Sequence, residues 1–263
     1  MTKKPFLIWR QTYLYILVLI AISFSINQYY AYIGVLPVDS FSTFNAGYDI
    51  LNGSYPFKDF WSIKGPVLDI LQAIYFKFFG ISWFSYAAHS SSFNSIFALS
   101  TYFTLRQFNL DHKYCFIYST LASILMYPTY GIPFTDHHVS IFSMLSVYCL
   151  CLAIIRKKNI YWFLIPIFLI LGFFTKQTPA AYFGILISIV TVLYFVSHFK
   201  KEILITIFLS ILLLTIIIFG LITLFEIPYK SILIQYFLYP MSLGETRLEW
   251  LLPFEFQRFV FRH

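Results

Sequence analysis

The polar stretch SYPFKDFWSIKGP, residues 54–66, lies between two strongly apolar segments and holds residue types that suit the binding of an anion. Lys64 precedes Gly-Pro, which is typical of a helix start. A lysine there opposes the helix dipole, so an anion held by its ammonium and the first backbone N–H groups would stabilise it. We therefore predict a phosphate-binding role for Lys64; a lipid headgroup is the alternative ligand. Asp59, in the same stretch, contributes to substrate binding, positions the loop, or pairs with Lys58 or Lys64.

A carboxylate that could accept a proton lies just upstream. Asp39 follows Pro37, soon after the first apolar segment ends, and so lies close to the bilayer surface. The low dielectric of the membrane disfavours the charged carboxylate, which makes it a better proton acceptor. We predict that Asp39 is a catalytic general base. The alternatives are an acid in a solvated loop and a cap for the helix that SFSTFNAGYDILNG favours.

Two further charged residues are candidates for substrate binding. Asp136, in GIPFTDHHVSIF, is either a first-turn acid that suits the helix dipole or a second acid facing Asp39 across a cavity. Lys176, in FFTKQTPAAYF, either extends to the membrane surface or binds an anion. His137 and His138 are adjacent and cannot both face one ion on a helix, so no metal ligand is predicted. A divalent cation stays open as a cofactor.

Composition indicates the class of protein that must position these residues. The chain is 59% hydrophobic and 11% charged, whereas soluble domains carry about 25% charged residues. Its apolar runs are long and continuous, which predicts an all-α, polytopic bundle of transmembrane helices rather than a β-barrel. We predict about seven spans, at 11–33, 82–105, 114–131, 138–155, 160–175, 180–198 and 203–225. The net charge of +7 does not predict nucleic-acid binding, because the bases cluster at the span ends.

The distribution of Lys and Arg predicts the orientation. If the N-terminus is cytoplasmic, the inner segments hold ten bases and two acids, and the outer segments hold the other eight bases and nine acids. We therefore predict a multi-pass protein of the inner (plasma) membrane whose polar machinery faces outward. Residues 66–79 are predicted to form a helix in the outer interface, with its polar stripe toward water. A hairpin that dips into the bilayer is the alternative, and the two charges of the segment argue against it. The chain stops on the outer side after EFQRFVFRH, which suggests truncation of a longer protein.

The order of the outer motifs resembles a known family. Pro-x-Asp at 37–39, then AGYDILNGSYPFKDFW, then KGP leading into a helix that ends FKFFG, is similar to the N-terminal half of GT-C type membrane glycosyltransferases. The similarity is to the bacterial branch with protein O-mannosyltransferase-like and aminoarabinose-transferase-like enzymes, and it covers roughly residues 10–230.

The resemblance implies an activity in the cell envelope. It implies inverting transfer of a sugar from a polyprenyl-phosphate carrier to a glycan, lipid or protein acceptor at the outer face. It assigns the general base to Asp39 and contact with the carrier phosphate to Lys64, and it matches Asp136 to a second acid. Ser40 stands where many relatives carry an acid directly after the first, which argues against a paired-carboxylate or metal-bridged site.

Two other classes stay open. A secondary transporter or lipid flippase would place ionisable groups near the membrane midplane, often in inverted repeats. We find no repeat, and the charges gather in the outer loops. A structural membrane subunit is the third class, and it has no need of an acid-rich outer face.

Overall fold

The computed structural model describes residues 5–35, 39–126 and 131–244, with side chains over 12–35, 40–126 and 131–244. In this part the chain is helical and contains no β-strand. The helices are α1 (Pro5–Ala31), α2 (Asp39–Leu51), α3 (Val67–Phe79), α4 (Trp83–Gln107), α5 (His112–Leu125), α6 (Thr135–Arg156), α7 (Asn159–Phe173), α8 (Gln177–Ser197), α9 (Lys201–Leu224) and α10 (Tyr229–Ile232). A π-helix, Leu233–Leu238, continues α10, and the chain stays helical through residue 244.

The all-α prediction is confirmed, and among the described residues four helices are long and apolar enough to cross a membrane. They are Thr12–Ala31 within α1, and α6, α8 and α9. A helix of 20 residues is about 30 Å long, the thickness of the hydrocarbon core. The apolar α7 has only 15 residues, and α5 ends at Leu125 rather than at 131, although residues 127–130 lie outside the described part. The chain is thus a helical membrane protein by composition, and the count of seven spans stays a prediction.

Helix α4 falls short of the apolar character of those four because its serines and asparagine pack against α1. Ser23 Oγ donates to Ser95 Oγ at 2.9 Å, and Asn94 Nδ2 donates to Asn27 Oδ1 at 2.7 Å. Asn27 Nδ2 donates in turn to Ser90 Oγ at 2.9 Å. Small polar side chains let two helices approach closely and satisfy each other inside an apolar bundle.

The direction that we predicted for the helix at 66–79 is wrong. The helix forms over Val67–Phe79, but its polar stripe faces the protein: Asp69 and Gln72 are fully buried. Apart from Lys77 in its last turn, its exposed positions are apolar, with Ile70, Ile74 and Phe78 on the outside. The surroundings of a membrane protein are apolar lipid. A helix is therefore stable with its polar face inward where the bundle provides hydrogen-bond or ion-pair partners for that face.

The loop before α3 is fastened to the end of α7 and to the C-terminal helix. Val67 N–H donates to the carbonyl of Phe174 at 3.2 Å, and Gly65 packs so tightly there that an added Cβ would lie 1.7 Å from the same oxygen. Ser62 N–H donates to Gln235 Oε1 at 2.9 Å across 173 residues of sequence. These contacts hold Lys64, the residue between them, in a defined place.

Helices α6 to α9 share an apolar core near the turns that join α6 to α7 and α8 to α9. Trp162 of α7, which is 1% exposed, packs in one cluster with three isoleucines. These are Ile165 of the same helix, Ile187 of α8 and Ile203 of α9. The Trp162 ring lies 5.4 Å from the ring of Tyr194. The core fixes how α7, α8 and α9 are arranged beside α6.

Candidate functional site

A cavity of about 1080 Å³ lies at the end of the bundle where α6 and α8 begin. Helix α2, the loop before α3, the first residues of α6 and α8, and the helical residues 239–244 form its walls. Its lining is Ser42, Thr43, Asn45, Ala46, Asp49, Phe60, Trp61, Ser62, Ile63, Lys64, Asp69, Pro133, Phe134, Thr135, Asp136, Lys176, Gln177, Thr178, Tyr239, Pro240, Leu243 and Gly244. A concave site with a few convergent polar groups is typical of small-molecule binding.

The first charged group of the cavity is an ion pair between Lys64 and Asp69. Lys64 Nζ lies 2.7 Å from Asp69 Oδ1, and it also donates to Thr43 Oγ1 at 2.7 Å and to Ser42 Oγ at 3.2 Å. Helix α2 provides both hydroxyls, which face the cavity one residue apart. Three groups therefore hold the lysine ammonium at the cavity wall, where it has a partner before any ligand arrives.

Asp69 is the buried member of that pair. Its side chain is 0% exposed, whereas that of Lys64 is 18% exposed. Burial raises the pKa of the Asp69 carboxyl above its ordinary value of 3.8, and the nearby Lys64 ammonium and Thr43 hydroxyl oppose that rise. The raised pKa means that the carboxylate takes up a proton more readily than a carboxylate in water.

A second ion pair lines the cavity at the starts of α6 and α8. Lys176 Nζ lies 2.6 Å from Asp136 Oδ1, with the two side chains 39% and 35% exposed. Lys176 occupies the N-cap position of α8, and Asp136 lies in the first turn of α6. The sequence predicted both residues as substrate-binding groups, and the structure brings both to the cavity that Lys64 also lines.

Aromatic side chains add an apolar surface to the same cavity. Trp61, which is exposed, meets Tyr239 edge to face with ring centroids 5.5 Å apart. Phe60 and Phe134 complete the aromatic lining. Aromatic rings beside hydroxyl and amide groups can hold a molecule with both apolar and hydrogen-bonding faces, such as a sugar.

The predicted base, Asp39, is the first residue of α2, and its side chain lies outside the described part of the structure. It comes three and four residues before Ser42 and Thr43, which line the cavity, and residues at that spacing share a helix face. Asp49, seven residues or about two helical turns after Ser42 on the same face of this helix, also lines the cavity. That spacing is the sequence signal for it.

Asp59, predicted as a substrate-binding residue, is not brought to the cavity. It is exposed, and its Oδ2 accepts a hydrogen bond from Tyr55 N–H at 2.7 Å within the loop. That contact closes a tight turn of five residues, 55–59. Asp59 shapes the loop that carries Lys64; it does not line the site.

A buried polar cluster lies directly behind the cavity, and sequence reasoning missed it. His89 Nδ1 lies 2.9 Å from Gln72 Oε1, three residues after Asp69 on α3. The ring of His138 lies 4.7 Å from that of His89 and 4.9 Å from that of His137, and all three are buried. No set of three or more His, Cys, Asp or Glu side chains in the described residues is placed to hold a metal ion.

Comparison of the chain with protein-family models, curated proteins and solved structures finds no match. The resemblance of the outer motifs to membrane glycosyltransferases therefore stays a prediction. The cavity and the residues that line it are therefore the features that indicate a function.

Proposed function

We propose that this chain is a membrane glycosyltransferase. It moves a sugar from a polyprenyl-phosphate carrier to an acceptor hydroxyl at the outer face of the membrane, with inversion at the anomeric carbon. The donor has a lipid tail and an anionic head, so its reacting bond has to lie at the membrane surface. The acceptor is a glycan, a lipid or a protein.

One observation carries the proposal: a single cavity gathers Lys64, Asp136 and Lys176, which are far apart in the sequence. Two lysines at one cavity suit a donor whose leaving group is a phosphate, because they stabilise the charge that grows on the phosphate oxygens. The aromatic surface of Trp61 and Tyr239 beside them suits the sugar. The cavity volume of about 1080 Å³ is large enough for a sugar phosphate and an acceptor together.

The reaction needs one base. The acceptor oxygen forms a bond to the anomeric carbon from the side opposite the phosphate, while the bond between that carbon and the phosphate oxygen breaks. The hydroxyl proton passes to Asp39, whose helix lines the cavity with Ser42 and Thr43. The phosphate leaves as an anion and needs no acid.

Asp69 serves as a positioning residue for Lys64 in this scheme. It keeps the ammonium at the cavity wall without a mobile counterion. When the donor phosphate binds, protonation of Asp69 releases the whole charge of Lys64 to the phosphate. The raised pKa of the buried Asp69 carboxyl makes that protonation less costly than for an acid in water.

The proposed topology has seven spans with the N-terminus in the cytoplasm of the cell. Helices α4, α5 and α7 cross the membrane beside the four more apolar helices, and α3 lies at the outer surface with its apolar side toward lipid. This arrangement puts the cavity outside, where the lipid-linked sugar is used. The variants Lys113→Cys and Asp59→Cys, labelled with an impermeant thiol reagent from each side of the membrane, test this topology. Lys113→Cys should react from the inside and Asp59→Cys from the outside.

The test of the activity is sugar transfer from a labelled polyprenyl-phosphate donor in membranes that contain the protein. Asp39→Asn should lower transfer by about 100-fold to 10,000-fold, the usual contribution of a general base. Asp111→Asn is the matched control, since Asp111 is an exposed acid at the start of α5 and does not line the cavity. Parental transfer by Asp39→Asn would show that the base is assigned wrongly. A parent protein that consumes no donor would contradict the proposal as a whole.

The buried ionisable groups favour a second candidate function, a secondary transporter or lipid flippase. Asp69 and the histidines behind the cavity lie inside the bundle, and buried ionisable residues of membrane proteins often mark ion or substrate pathways. Uptake into sealed vesicles, driven by an imposed membrane potential, discriminates the two functions. A transporter accumulates substrate without consuming a sugar donor, whereas the transferase consumes donor with or without the potential.

A further inference from the structure

A second cavity lies at the opposite end of the helices that form the first. It measures about 210 Å³, is partly open, and lies where α6 passes into α7 and α8 passes into α9. Its lining is Lys157, Asn159, Trp162, Tyr194, Lys200, Glu202 and Ile203. Helix α6 has 22 residues, which separates the two cavities by about 33 Å. The second cavity therefore plays no direct part in chemistry at the first.

Two lysines and one acid, Glu202, line this cavity, so its net charge is positive. Lys157 and Lys200 line it, and within the described residues neither ammonium has a hydrogen-bond or ion-pair partner. Two arginines near that end of the bundle are already used: Arg106 donates to the carbonyl of Leu110, and Arg156 donates to that of Gln107. The excess positive charge at the cavity is therefore available to a ligand.

Lys157 has a backbone conformation that is unusual for a residue other than glycine. Its φ of 53° places it in the left-handed region, directly after the last residue of α6. Glycine is the usual residue at such a helix end, and a side chain there costs about 1 kcal/mol. The chain keeps a lysine in a position where glycine would be more stable, and this lysine lines the cavity.

Apolar side chains close in sequence to the lining residues are exposed. On α8 the side chains of Leu193 and Val196 are exposed, and on α9 so are Leu204 and Phe208; Phe199, between the two helices, is exposed as well. A ligand that fits both surfaces has an anionic head and an apolar tail. A small free anion would satisfy only the lysines.

We propose that the cavity binds the headgroup of an anionic phospholipid, whose acyl chains lie along the exposed faces of α8 and α9. The phosphate lies between the Lys157 and Lys200 ammonium groups, and Trp162 and Tyr194 form the wall beneath it. Basic pockets between transmembrane helices commonly bind such headgroups. The site is separate from the first cavity and does not depend on the proposed transferase activity.

Native mass spectrometry of the full chain in detergent, titrated with phosphatidylglycerol or with phosphatidylcholine, tests the site. One phosphatidylglycerol should bind with clear preference over phosphatidylcholine. Removal of either lysine should weaken phosphatidylglycerol binding by about 5-fold, and removal of both by about 25-fold, since each base near a lipid surface contributes to that extent. At position 200 the variant is Lys200→Gln, which removes the ammonium.

At position 157 the informative change is Lys157→Gly. It removes the ammonium and relieves the left-handed backbone, so the variant should unfold at a higher temperature and yet bind less phosphatidylglycerol. This combination separates loss of the site from loss of the fold. Lys113→Gln is the matched control, because Lys113 is an exposed lysine that does not line the cavity.

Three outcomes would overturn the proposal. The first is equal affinity for the two lipids. The second is unchanged phosphatidylglycerol binding after both lysines are replaced. The third is displacement of the lipid by millimolar inorganic phosphate, which would mean that the cavity is a site for free phosphate.

Discussion

The ion pair between Lys64 and Asp69 makes a prediction that can be worked out from its burial. Lys64→Met removes the cation and leaves a carboxylate whose side chain is 0% exposed. Breaking a buried pair in this way costs about 3–5 kcal/mol. The lysine side chain is itself 18% exposed, so water reaches the vacated position. We therefore expect the lower end of that range, about 3 kcal/mol.

The same variant should show a characteristic pH dependence. Without Lys64 the pKa of the folded-state Asp69 carboxyl rises further above 3.8, because burial is then less opposed. A raised folded-state pKa gives stability at low pH that is lost as pH rises through that pKa. The loss in free energy of unfolding caused by Lys64→Met should therefore be smaller at pH 5 than at pH 8.

Equilibrium unfolding in mixed micelles of a mild detergent and sodium dodecyl sulfate, followed by circular dichroism, measures these free energies. The control is Lys77→Met, on the same helix as Asp69 but exposed, which should stay within about 0.5 kcal/mol of the parent. The double variant Lys64→Met/Asp69→Leu should recover most of the loss, since a buried pair can be replaced by apolar groups at little cost. The reasoning is refuted if Lys64→Met costs no more than Lys77→Met, or if the double variant is less stable than Lys64→Met alone.

Three other predictions concern stability. Asp69→Asn should flatten the pH dependence of unfolding, because the parent loses stability as pH rises through the raised pKa of the Asp69 carboxyl; equal slopes in the two proteins would contradict this. Asp136→Asn should change the free energy of unfolding by less than about 1 kcal/mol, because Asp136 and Lys176 are both more than a third exposed; a loss above about 2 kcal/mol would show a stronger pair. Gly65→Ala should cost about 3 kcal/mol, because the new methyl carbon would lie 1.7 Å from a backbone oxygen, whereas Gly184→Ala meets nothing within 4 Å and should be neutral or stabilising; similar thermal unfolding of the two variants would mean that the loop is not packed as described.

Much of the fold follows from the pattern of apolar residues. Long apolar runs located α1, α6, α8 and α9 to within a few residues, because a helix that meets lipid has to be apolar over its whole exposed length. The bounds of α4 were as accurate, at 82–105 in the prediction and Trp83–Gln107 in the structure, but its apolar character falls below that of these four helices. Helix α4 keeps Asn94 and Ser95 inside, so its composition alone does not distinguish it from a surface helix.

The candidate site was predicted in part, for a physical reason. Lys64, Asp136 and Lys176 stand out as charges in an apolar chain, and the structure brings all three to one cavity. Asp69 did not stand out, because the helical period shows that Asp69 and Gln72 share a stripe but not which way the stripe faces. The lysine that draws this stripe inward comes from the preceding loop, and only the folded chain shows the two together.

The π-helix at Leu233–Leu238 links the shape of the cavity to the length of the chain. A π-helix closes each hydrogen bond over one residue more than an α-helix does. Loss of one residue within it would restore the α-helical pattern and rotate the residues that follow by about 100°. Tyr239, Pro240 and Leu243, which now form one wall of the cavity, would turn away from it. The deletion of a single codon could therefore widen the cavity in evolution without replacing any side chain that lines it.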